Sequence, residues 1–99
     1  MSVTLIKGDL IVPVATERVF TEFWQPLCLK LSLQWVPNFQ SGINIDSQDI
    51  TNVIEELSIL KTYTLNEDWD KRTLPLERIE NLIEVLEELM KRGESVYIG

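Results

Sequence analysis

Between Leu27 and Trp35 the chain reads LCLKLSLQW. Leu27, Leu29, Leu31, Leu33 and Trp35 are large and apolar, and they alternate strictly with Cys28, Lys30, Ser32 and Gln34. A period of two is the repeat of a β-strand, whose successive side chains point to opposite faces. The run therefore predicts a strand with one buried and one wetter face. Such a strand suits a sheet covered by helices on one side better than a parallel sheet covered on both. Leucine is not a favoured strand residue, so here the pattern has to outweigh propensity.

The flanking segments supply further elements. VTLIKGDLIV is rich in β-branched and aliphatic residues and reads as extended. Gly8-Asp9 suits a two-residue hairpin turn between 3–6 and 10–12, and a single strand with a bulge at Gly8 is the alternative. In TERVFTEFW, Val19, Phe20, Phe23 and Trp24 fall at helical spacing behind Thr16 as N-cap. Pro26 is expected to end that helix by Gln25, because the residue before proline avoids the α region. VPNFQSGIN reads as a loop.

Two longer helices follow. Ile50, Val53, Ile54, Leu57 and Leu60 form one stripe, capped by Ser47 or Asp49. After the connection TLNEDWDKR, Thr73 and Pro75 open a second helix. Ile79, Leu82, Ile83, Leu86, Leu89 and Met90 mark its apolar face, and Gly93 stands at C′. Residues 95–98 read as a short returning strand. The order is β(β)αβααβ. It predicts a single α+β domain over 1–99, with a small, mainly antiparallel sheet and about three helices packed on one face. Both long helices are expected to be acidic on their outer sides.

Charge and chemistry narrow the function. Residues 46–88 carry twelve acids and four bases, a balance of −8, while the remainder carries four acids and five bases, a balance of +1. An acidic surface repels nucleic acid and anionic lipid and attracts basic partners. No apolar run approaches the roughly 18 residues of a membrane span, and the N-terminus lacks the features of a signal peptide. A cytoplasmic setting is expected, and the single Cys28 gives no sign of an oxidising one.

The chain has no histidine. That removes the commonest general base, the Ser-His and Cys-His nucleophile pairs and imidazole metal ligands. Cys28 lacks a low-pKa setting such as CxxC or a helix start. Glu80, Glu84 and Glu88 form i,i+4 pairs opposite the apolar stripe, where carboxylates stay exposed and ionised. The segment from Asn44 to Glu55 fails as an EF-hand, with Asp49 where glycine is needed. No phosphate-cradling glycine motif is present. Neither an enzyme, a metal site nor a cofactor is expected.

Trp69 stands between Glu67, Asp68 and Asp70 in a charged connection. In one reading it folds back as a cap on the core. In the other it is an interface anchor on an acidic rim, with Glu67, Asp68, Asp70, Glu55, Glu56 and Glu77 as the rest of the patch. In size, charge and lack of catalytic equipment the chain resembles small bacterial immunity and inhibitor proteins, of the barstar and colicin-immunity types. The likeness is compositional and covers no motif. It implies a protein that neutralises a basic partner through acidic helices and aromatic anchors. The expectation is a non-catalytic protein-interaction module that binds a basic protein, which the resemblance implies is a toxin. The alternative is a structural or assembly subunit that forms a homo-oligomer.

Overall fold

A computed structural model describes residues 2–66 and 76–99. The chain opens with β1 (Ser2–Lys7) and β2 (Leu10–Thr16), an antiparallel hairpin. Gly8 sits at the first turn position with φ +58, where a type II′ turn requires a positive value. Of the two alternatives, the hairpin is the one formed. A bulge follows at Val3/Thr4, and it turns both Val14 and Ala15 inward.

A continuous helix over 17–30, α1, comes next, built of Glu17–Val19, a π-helical turn Phe20–Trp24, and Gln25–Lys30. Thr16 caps it as expected, its hydroxyl accepting from the Val19 N–H at 3.2 Å. Pro26 does not end it. In a regular α-helix the proline ring would press on the carbonyl four residues back. Here the Gln25 N–H reaches Phe20 O, five residues back, and the widened π turn precedes the proline.

The alternating run is accordingly not a strand. Leu27 to Lys30 finish α1, and Leu31 to Trp35 form a turn and loop. Leu29 is 83% exposed and Cys28 is fully buried, the reverse of the predicted faces. Phe20, Trp24, Leu27, Cys28 and Leu31 share the inward side, a helical spacing that overlaps the alternation. The helix closes in a Schellman motif: Leu33 N–H donates to Cys28 O at 2.9 Å and Ser32 N–H to Leu29 O at 3.2 Å. Ser32 takes φ +59 at the left-handed position.

The segment expected to be a loop holds a 3₁₀ turn (Val36–Phe39) and β3 (Ile43–Ile45). Then come α2 (Ile50–Asn66), α3 (Leu76–Lys91) and β4 (Val96–Ile98). Gly93, at φ +68, closes α3 with a second Schellman pair, Glu94 N–H to Leu89 O and Gly93 N–H to Met90 O, both at 3.0 Å. The expected caps Thr73 and Pro75 lie outside the described residues.

The four strands form one antiparallel sheet in the order β2–β1–β4–β3. Val3, Leu5, Val12, Val14, Val96, Ile98 and Ile45 point inward, into one apolar core with the inner faces of the helices. Fully burying a side chain of this size contributes about 1.5–3 kcal/mol, so the helices are held on this face alone. This is the α+β architecture expected, with the strand between the first and second helices supplied by residues 43–45, at one edge of the sheet. Inside the core, Phe20 stacks on Trp24 with centroids 5.4 Å apart. The Trp24 indole N–H is buried without an acceptor among the described residues.

Candidate functional site

Two contacts fix how the long helices lie together. The Thr51 hydroxyl donates to Met90 Sδ at 3.1 Å, and Lys61 Nζ pairs with Glu80 Oε1 at 3.4 Å. Both pairs sum to 141 in residue number, so α2 and α3 run antiparallel in constant register. By that register Glu77 lies opposite position 64. Glu55 is nine residues away from position 64, roughly 13 Å along the helix at 1.5 Å per residue. The expected acidic patch is therefore not one cluster. Glu55 is exposed near the start of α2, and Glu77 is exposed in the first turn of α3, where a carboxylate suits the helix dipole. Glu67, Asp68, Trp69 and Asp70 lie outside the described residues.

Glu56 faces its own chain. Its carboxylate accepts three consecutive backbone N–H groups: Gln34 at 2.9 Å, Trp35 at 2.9 Å and Val36 at 3.0 Å. These amides lead into the 3₁₀ turn, whose first N–H groups have no partner within the turn. A carboxylate here acts as a cap with charge-assisted hydrogen bonds. Gln25 fastens the same segment from α1, its Nε2 donating to Pro37 O at 2.7 Å. Beneath the segment, burial pushes the Cys28 thiol up to about 12, and the nearby Glu56 charge adds to the shift. A thiol in that state is protonated at neutral pH and is a poor nucleophile.

The acidity expected on both long helices belongs to one of them. The solvent side of α2 carries Glu55 beside the exposed Ile59 and Leu65. On α3, Glu77, Glu80, Glu84, Glu87 and Glu88 fall within an arc of about 100° over roughly 16 Å of helix. This arc lies opposite Ile79, Leu82, Leu86 and Leu89, which are buried. Glu80 is paired with Lys61, and Glu88 with Arg92 at 3.4 Å. Glu77, Glu84 and Glu87 have no cation within 4 Å among the described residues. Lys61, Glu80, Ile83, Glu84 and Glu87 line an open groove between the helices, three carboxylates and one ammonium around a single half-buried isoleucine.

The helical period of glutamates from 77 to 88 was visible in the sequence. It reads there as a solvated face, and only the interhelical groove gives it a shape that a partner could enter. Among the described residues, no three His, Cys, Asp or Glu side chains converge as a metal site, and no helix is long and apolar enough to cross a membrane. Comparison with known proteins returns no matching family model, no matching curated protein and no matching solved structure.

Proposed function

We propose that this chain is a non-catalytic protein-interaction module, of the immunity or inhibitor kind, that binds a basic protein partner in the cytoplasm. The observation that carries the reading is the glutamate stripe of α3. Five carboxylates share one face, three of them lack a cation among the described residues, and Glu80, Glu84 and Glu87 line a groove together with Ile83. Such a surface steers a cationic partner inward and offers apolar area at the point of contact. Glu55, at the far end of α2, adds to the general field. Trp69, with Glu67, Asp68 and Asp70, stands in the connection that leads in sequence to Glu77 and serves in this reading as the aromatic anchor. Glu56 takes no part in it, because its carboxylate is already spent on backbone amides.

Immunity genes lie beside the toxins they neutralise, so the test starts from the product of the neighbouring gene. Calorimetric titration with that product is expected to show binding that weakens steeply as salt is raised. Replacing Glu80, Glu84 and Glu87 together by Gln should weaken it at least about tenfold, through loss of steering and of paired charge. Absence of binding, or binding indifferent to both salt and the triple substitution, refutes the reading.

A further inference from the structure

The sheet has a second face, turned away from the helices. Ser2, Thr4, Ile6, Ile11, Pro13, Thr16, Asn44 and Tyr97 alternate outward on the four strands, and none is charged. The strand register sets Ile11 beside Ile6, Ile6 beside Tyr97 and Tyr97 beside Asn44 in one row. In the adjoining row Thr4 exchanges backbone hydrogen bonds with Gly99 at 3.1 and 2.9 Å. The Tyr97 ring lies down over Gly99 and Gly42, where any β-carbon would collide with its hydroxyl. The result is a strand face without charged side chains on a chain of net charge −7.

We infer that this face is a self-association surface, on which a second copy of the chain packs face to face about a two-fold axis. Charge placement argues for a like partner. A basic or acidic protein would have to desolvate its charges here against nothing that pairs with them. A second copy brings the same uncharged face. The glutamate stripes of α3 then lie at the two far ends of the dimer, roughly 40 Å apart for bodies whose shortest extent is 22 Å, several screening lengths at physiological salt. The edges do not offer an easier route. Pro13 has no N–H to present along β2, and β3 is only three residues long. The face itself is modest. Ile6 at 41% exposure, Ile11 at 66% and Tyr97 at 39% together offer roughly 300 Å², the size of the largest apolar patch on an ordinary monomer. Stable interfaces bury about 800 Å² per partner, so the dimer is a weak one that forms at high protein concentration. Both α3 stripes stay open in it, so on the function proposed above, which this step rests on, the dimer is bivalent for a basic partner.

Sedimentation equilibrium and dilution NMR on the whole chain test this. From about 10 µM to about 1 mM the average mass should climb from 11.5 kDa toward twice that value. Raising salt should leave the dimer intact or strengthen it, because no ion pair crosses the interface and the −7 charge is screened. Amide shifts on dilution should map to Ile6, Ile11 and Tyr97. Ile11→Glu, at an exposed position, should weaken association at least about tenfold, and Glu84→Gln on the opposite side should not change it. A mass of one chain at 1 mM overturns the inference and leaves the face to a heterologous uncharged partner. So does association that survives Ile11→Glu, or dilution shifts that map to α3.

Discussion

Replacing Glu56 by Ala tests whether its carboxylate is a cap or a free surface charge. The expected cost follows from its three amide partners. The Gln34 N–H lies in an exposed residue and can turn to water, so its loss counts for little. Trp35 is half-buried and Val36 fully buried, and their N–H groups would be left without an acceptor. At about 1–1.5 kcal/mol for each buried donor, Glu56→Ala should cost about 2–3 kcal/mol. For a domain of this size that corresponds to a melting shift of roughly 10–20 °C. Glu56→Gln keeps one carbonyl oxygen and should lose about half as much. Urea unfolding followed by circular dichroism gives the number, and an unchanged slope shows that the loss is one of stability alone. Amide exchange at Trp35 and Val36 should accelerate in the Ala variant beyond that of the core strands. A variant within about 0.5 kcal/mol of the parent, the range of ordinary surface substitutions, refutes the cap. A folded Glu56→Ala that lost partner binding without losing stability would return Glu56 to the interface expected from the sequence.

Three further outcomes are expected. Ser32 holds the left-handed position that Gly93 holds at the other Schellman end, so Ser32→Gly should raise stability by about 0.5–1 kcal/mol and Gly93→Ser should lower it by a similar amount. Thermal melts of the two variants and of their combination check this, and a destabilised Ser32→Gly refutes it. The Cys28 thiol ionises near 9.0 when unfolded but only near 12 when buried. Its contribution is therefore complete below pH 9 and is lost as pH rises from 9 toward 12. The difference in stability between the parent and Cys28→Ala should narrow over that window, and a constant difference refutes it. Gly42 has φ +94 and sits under the Tyr97 hydroxyl, so Gly42→Ala meets both backbone strain and a collision. It should cost more than about 1 kcal/mol in urea unfolding, and a neutral result would refute the left-handed backbone at Gly42.

Elements with a long, single-valued period were legible in the sequence. The stripes from Ile50 to Leu60 and from Ile79 to Met90 have no competing reading and became α2 and α3. Gly8 and Gly93 were legible because each position demands a positive φ that glycine meets without strain. The run from Leu27 to Trp35 failed for a physical reason. Over so few residues a period of two and a period of 3.6 select overlapping positions, and Leu27 and Leu31 satisfy both. Leucine's helix preference was the discordant sign. The π turn at Phe20–Trp24 then carried the helix past Pro26, a route that the rule for residues before proline does not anticipate. The strand at 43–45 was hidden because three residues are too few to show a period, and their extended form is imposed by pairing with β4.

The acidic residues show the limit of reading chemistry from composition. The sum of −8 over residues 46–88 is a property of the sequence, but what each carboxylate does depends on what the fold sets opposite it. Glu55 and Glu56 are neighbours in sequence and differ in fate, because on a helix adjacent residues point about 100° apart. One faces solvent. The other faces a loop twenty residues earlier in the chain, whose amides it satisfies. No local pattern marks that partnership, since the donors are backbone groups that every residue carries. The glutamates of α3 were legible as a face because their spacing matches the helical repeat and their opposite side is apolar. Charge alone therefore identifies candidates, and the contacts that the fold supplies sort them: among the described residues Glu77, Glu84 and Glu87 have no cation within 4 Å, whereas Glu56 is bonded to backbone amides.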